Sequence, residues 1–283
     1  MSPQLKGVLI TLAGVLVIVP DSLMIRLIDA DAMTKIFWRS SFSCTVLLLW
    51  LAFTRNIGRF GKMAFLFAIT EASGTILFIV ALENTSVAST LFLVSTAPIF
   101  SALLSWIFLK ETLSKRMIWT ILFTLIGVAI IANGENDGNA QRLTGDLAAI
   151  GVAISLAVAF TAVRHTPDLP IIPALTVAYA IAATTGALLA PSFTLVGIEW
   201  FWIALNGAIF VPLGFALLSI GPRYITSAEV SLILLLEAVL APLLVWSILG
   251  EHPGERVIWG GFIVISVLLI SNLLGLKKHP KGS

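Results

Sequence analysis

Five ionisable residues stand inside stretches that are otherwise apolar: Asp21, Arg39, Glu71, Glu229 and Glu237. A charge near the middle of a membrane-crossing helix costs roughly 2.5–3.5 kcal/mol on insertion scales, so each of these groups needs a partner, a polar cavity or a proton. Arg39 is matched by Asp21 or Glu71. That pairing is either a permanent ion pair or one that opens so that the guanidinium meets a solute carboxylate. Glu237, in Leu234-Leu235-Leu236-Glu237-Ala238, is the most central acid. It either exchanges a proton with a cavity or hydrogen-bonds a neighbouring helix. Glu229 stands nearer the start of its stretch and fits a helix-start acid. Asn206 carries an amide that is costly to bury without a partner. Trp38, Asn84, Tyr179 and Thr184 are further polar or aromatic positions, although Trp38 adjoins Arg39 and so points to a different helix face.

These groups must be carried by membrane helices. Apolar residues make up 58% of the chain and charged ones 11%, against roughly 25% charged in soluble domains. The mean hydropathy is +1.03. A single span needs about 20 mostly apolar residues, and the sequence divides into ten such stretches: 5–26, 32–53, 63–82, 85–109, 114–132, 145–164, 171–190, 200–220, 224–249 and 257–276. Pro20, Pro98, Pro212 and Pro242 interrupt the first, fourth, eighth and ninth as candidate bending points. The connecting segments are short except for the Asn- and Gly-rich 133–144. The first span lacks a small-residue cleavage site and is expected to be retained.

The second half echoes the first at an offset of 140 residues. Comparing 101–119 with 241–259 gives eight identities in nineteen, among them Trp106 with Trp246, Glu111 with Glu251, Arg116 with Arg256 and Trp119 with Trp259. Gly74 with Gly214 and Ala13 with Ala153 extend the match. Repetition on both halves favours architectural roles here: carboxylates at helix N-termini, Arg partners for them, and indoles at the membrane interface. The expected organisation is a first repeat over 1–132, a linker over 133–144, a second repeat over 145–276 and a basic tail over 277–283. Five spans per repeat is an odd number, so the two copies lie in opposite orientations. Twelve Lys and Arg residues fall on one side and three or four on the other, which places both termini in the cytoplasm. Duplicated membrane units are a common signature of transporters.

The stretch 81–127, with Thr-Ser-Val-Ala-Ser, Pro98, Trp106 to Glu111 and Gly127, resembles the EamA repeat of the drug/metabolite transporter superfamily. So does 216–261, with Thr226-Ser227-Ala228-Glu229, Leu235-Leu236-Glu237 and Leu249-Gly250-Glu251. One departure is Ala238, where the second repeat of the family commonly has Pro. The resemblance implies an all-α integral membrane protein of ten helices in two inverted repeats, with a cavity formed by spans 1–4 and 6–9. Spans 5 and 10 are then peripheral and pair protomers into a homodimer. It also implies a secondary transporter of a small organic metabolite, an amino acid or related compound, working in export from a cell membrane. A passive channel is the alternative.

No Walker-type Gly-Lys-Ser/Thr, His-Glu-x-x-His or Gly-x-Ser-x-Gly motif is present, and the histidines fall in loops or the tail. No enzyme activity, cofactor or metal is therefore expected. No basic run with interleaved aromatics suggests nucleic acid. The single Cys44 excludes an intramolecular disulfide and suits packing. The expected partners are a small-molecule substrate and the lipid bilayer. The residues expected to bind substrate or couple transport are Asp21, Trp38, Arg39, Glu71, Tyr179, Asn206 and Glu237.

Overall fold

In lipid a backbone segment must satisfy its own N–H and C=O groups, and a single long apolar run does so only as a helix. The computed structural model describes residues 2–110, 115–132, 140–250 and 254–276, and all regular structure among them is helical. The first half contains α1 (Pro3–Ile18), α2 (Asp21–Arg26), α3 (Ala32–Thr54), α4 (Lys62–Asn84), α5 (Val87–Val94), α6 (Ala97–Leu109) and α7 (Lys115–Ala132). The second contains α8 (Ala140–His165), α9 (Ile171–Leu189), α10 (Glu199–Leu205), a π-helical turn (Asn206–Phe210), α11 (Val211–Ile220), α12 (Ser227–Leu249) and α13 (Glu255–Leu276). Among the described residues, eight helical segments are long and apolar enough to cross a membrane. The helices α7 and α13 stand where the fifth and tenth spans are expected.

Two details differ from the sequence reading. α8 begins at Ala140, four residues before the end of the expected linker at 144. Its polar first turns are helix-compatible, and Arg142 lies 3.7 Å from Asp146 one turn on, a pairing that supports helix without apolar character. The other concerns the prolines. Pro20 and Pro98 sit at breaks (α1 to α2 and α5 to α6), and Pro212 follows the π turn. Pro242 does not interrupt anything, because α12 runs through it unbroken.

The packing follows the 140-residue offset. α4 packs most extensively on α8, and its counterpart pairing, α1 on α11, is among the next most extensive. α3 packs on α9, which is its own repeat equivalent, and α7 packs on α13 in the same way. Each half therefore completes itself only against the other. The caps also repeat. Ser86 accepts the Ser89 N–H at 3.1 Å ahead of α5, and Thr226 accepts the Glu229 N–H at 3.2 Å ahead of α12. The Glu229 carboxylate returns a bond to the Thr226 N–H at 2.7 Å, closing a capping box. α6 and α12 both end on a left-handed residue, Lys110 (φ 56°) and Gly250 (φ 70°), which are 140 positions apart.

The α3–α9 contact depends on one small residue. A Cβ on Gly186 would lie 2.6 Å from the Phe37 amide nitrogen and 2.8 Å from the Met33 carbonyl oxygen, both backbone atoms that cannot yield alone. Gly61, in contrast, has open space around it. Gly186→Ala is expected to destabilise the protein by about 1–3 kcal/mol while Gly61→Ala changes little, measured as the shift in unfolding midpoint of the detergent-solubilised protein.

Candidate functional site

Three separate helical elements meet at a buried ionic cluster. Asp21 opens α2 directly after the Pro20 break, Arg39 lies in the second turn of α3, and Asn206 opens the π turn. The Arg39 Nη2 donates to Asp21 Oδ2 at 2.6 Å, and its Nε donates to Asn206 Oδ1 at 3.1 Å. The Asn206 amide nitrogen donates in turn to Asp21 Oδ1 at 2.7 Å. Each member thus binds both others, and the side chains of Asp21 and Arg39 are 2% and 1% exposed. The backbone makes this approach possible. Gly207 lies against α3 so closely that a Cβ would come 2.5 Å from the Arg39 carbonyl oxygen. Ser43 ties the two elements together by donating to the Gly207 carbonyl at 2.7 Å. A π turn widens the helix and redirects side chains, which lets residue 206 face the ion pair.

The cluster forms part of the wall of a narrow central cavity, with about 30 Å³ of space open to water-sized molecules. Asp21, Arg39, Glu71 and Glu237 are its charged lining residues. Glu71 comes from α4 and Glu237 from α12, so the two acids belong to different halves. Both are buried, at 3% and 7% exposure. Neither has a hydrogen-bond or ion-pair partner among the described residues. Glu71 Oε1 and Arg39 Nη1 are fully buried polar atoms without a partner. The rest of the wall is largely apolar, including Ile18, Phe78, Leu91, Leu156, Phe215 and Leu234.

Asp21, Arg39, Glu71 and Glu237 are therefore brought to one cavity, and Asn206 supports it from behind. Tyr179, the repeat equivalent of Arg39, is fully buried with an unpartnered hydroxyl. It lies within electrostatic range of Glu71, Arg39 and Asp21. Trp38 lies away from the cavity: its indole stacks edge-on against Trp200 at 4.7 Å between centroids and donates to the Phe193 carbonyl at 3.0 Å. Thr184 is exposed and bonds only its own helix, and Asn84 likewise caps α4 by donating to the Val80 carbonyl. Trp106 and Trp246 sit half-exposed one turn from the ends of α6 and α12. Glu111 and Glu251 lie outside the described residues, as do the side chains of Arg116 and Arg256.

Two features escaped the sequence reading. Gly74, Thr75 and Phe78 line the cavity with Glu71; their spacing of three, four and seven residues places them on the Glu71 face of α4, a signal that was available. The other is a set of long-range bonds at the end of the molecule that carries the turns 27–31, 85–86 and 190–198. Lys35 pairs with Glu83 at 2.6 Å, Arg26 donates to the Thr85 carbonyl at 2.7 Å, and Glu199 accepts the Asp29 N–H at 2.9 Å. Thr34 donates to the Ser192 carbonyl at 2.7 Å. Partners this far apart in sequence leave no local pattern.

Removing one partner of a buried ion pair leaves the other charge uncompensated, at a cost of about 3–5 kcal/mol. Arg39→Met alone is expected to destabilise the protein by that order. Asp21→Asn with Arg39→Met is expected to cost less than the sum of the two single changes, read as the coupling in a double-mutant unfolding cycle.

Two stretches of the chain, 5–133 and 143–273, match the EamA-like transporter family. A curated relative, Solute carrier family 35 member G1 of Mus musculus, is 29% identical over 146 residues, which is 44% of this chain and 39% of that protein. This chain thus matches about two-fifths of that relative's length. One protein of known crystal structure superposes with a TM-score of 0.71 over 98% of this chain and 99% of that one at 18% identity, a likeness of fold. With both halves matched and eight described helical segments able to cross a bilayer, this multi-pass membrane protein belongs to the EamA-like transporter family.

Proposed function

We propose that the protein is a secondary carrier that moves a small organic solute, an amino acid or related compound, through the central cavity by alternating access. The observation that carries this reading is the cavity itself. It is lined by residues of both halves, and its wall includes buried polar atoms, Arg39 Nη1 and Glu71 Oε1, that have no protein partner. Unsatisfied buried groups of that kind are costly for a purely structural core. They are appropriate where a solute's polar groups complete them.

The proposed arrangement is ten spans with both termini in the cytoplasm, supported by the twelve basic residues on one side. The bonded end around Lys35 and Glu83 then faces outward. In this orientation the outer path is closed by ion pairs and backbone bonds. Opening it requires those bonds to exchange for others, the discrete rearrangement that alternating access needs. The breaks after α1 and α5 and the π turn before α11 give the cavity-lining helices places to bend. Export from the cell membrane is the proposed direction, and α7 packed on α13 at the edge is the proposed face for pairing with a second copy. Glu237 is the proposed site of proton coupling, since it enters the cavity from the second half where the first half has Ala97.

Reconstitution into proteoliposomes tests the reading. Flux of a transported amino acid is expected to saturate and to show counterflow, whereas flux that rises without saturation identifies a passive channel instead. Glu237→Gln is expected to reduce uphill transport driven by a proton gradient at least tenfold and to reduce counterflow by a smaller factor. Uphill transport that survives this change removes Glu237 from the coupling step.

A further inference from the structure

We propose that the cavity recognises the positively charged end of its cargo, so that its substrates are organic amines with an apolar body, with or without a carboxylate. This rests on the reading of the cavity as the solute site. It follows from the charge inventory of the wall. Asp21 and Arg39 cancel each other at 2.6 Å, and Asn206 holds both, accepting from Arg39 and donating to the Asp21 carboxylate and backbone carbonyl. Two of the three guanidinium nitrogens are thereby engaged, and Nη1 with its two N–H groups is left without a partner. Glu71 and Glu237 have no such partner among the described residues. No Lys or His lines the cavity among the described residues.

An anionic cargo entering here gains the Nη1 N–H groups of an Arg39 whose charge Asp21 already balances, and meets two acids without a partner. An ammonium meets the reverse situation, because an unpaired carboxyl in apolar surroundings is satisfied by a cation or a proton. The acids enter from α4 and α12, one from each half, so a cation between them would bridge the halves. The other charged or titratable groups within reach are Asp21 from α2, Arg39 from α3 and Tyr179 from α9. Phe78 already faces the Arg39 guanidinium at 5.9 Å. The remaining aromatic wall, Phe215, together with Ile18, Leu91, Leu156 and Leu234, offers apolar contacts to an aromatic or aliphatic body when the helices part to admit it.

The test compares three probes of similar size on the purified full chain in detergent: 2-phenylethylamine, phenylalanine and 3-phenylpropionate, with binding measured by titration calorimetry. The amine is expected to bind at least tenfold more tightly than the acid, with phenylalanine between them. Glu71→Gln with Glu237→Gln is expected to weaken amine binding at least tenfold and to bring amine and acid within about threefold of each other. Both substitutions keep side-chain shape and remove no bond seen in the structure, and an unchanged unfolding midpoint identifies a folded variant. Equal or tighter binding of the acid, undiminished amine binding by the folded double variant, or no binding of the amine by the wild type overturns the proposal. Flux separates this from the carrier reading. Saturable proteoliposome flux of 3-phenylpropionate without amine flux overturns the cation preference and leaves the carrier. Tight amine binding without flux of any probe leaves the cation site and overturns the carrier.

Discussion

The structure depends on how it accommodates charge in an apolar interior. Asp21, Arg39 and Asn206 form a closed triangle of hydrogen bonds that is almost completely excluded from solvent. Each member bonds both others, so part of the desolvation cost of the ion pair is offset within the cluster, and Arg39 Nη1 alone is left over. The local backbone is arranged around it: a proline break ahead of Asp21, a π turn at Asn206, and Gly207 lying directly on the α3 backbone. Opening the triangle without replacement partners leaves buried charges uncompensated. The cluster therefore fixes one wall of the cavity and ties α2 and α3 of the first half to the second.

Around this asymmetric cluster the rest of the molecule is close to symmetric. The helix pairs α1–α11 and α4–α8 exchange under the 140-residue offset, and α3–α9 and α7–α13 map onto themselves. Symmetry of backbone with asymmetry of chemistry is a useful combination in a carrier. Under the proposed alternating access, equivalent packing on the two sides would bring inward- and outward-opening arrangements close in energy. In the proposed carrier, the residues that differ between halves are the ones that select the solute. Arg39 faces Tyr179 at equivalent positions, Asn206 corresponds to Leu66, Glu71 to Val211 and Glu237 to Ala97.

Much of this was legible in the sequence. The helices lie within a few residues of the apolar stretches because hydrophobic length is a strong signal, and the start of α8 was misplaced because its first turns are polar. Arg39 and its pairing with Asp21 could be anticipated from the cost of an unpaired charge, although the choice of Asp21 over Glu71 could not. That choice depends on the π turn and on Asn206, 167 residues away from Arg39. Trp38 was separable from Arg39 by helix geometry alone. The bonded end around Lys35, Glu83 and Glu199 was invisible, since hydrogen bonds between distant turns leave no periodic trace. The apolar wall of the cavity was hidden for the opposite reason: Phe78 and Phe215 look like any other membrane residue until a neighbouring helix faces them.

The central claim is that the space between Glu71 and Glu237 lies on the solute path and opens to each side of the membrane in turn. Ser155 lines that space from α8 and has no charged role. The most direct measurement places a cysteine there, in a background where Cys44 is replaced by Ser, and exposes it to a membrane-impermeant charged thiol reagent. The account predicts labelling from the outside in intact cells and from the cytoplasmic side in inverted vesicles, because both openings are visited. Labelling from neither side, or from one side only, would contradict it.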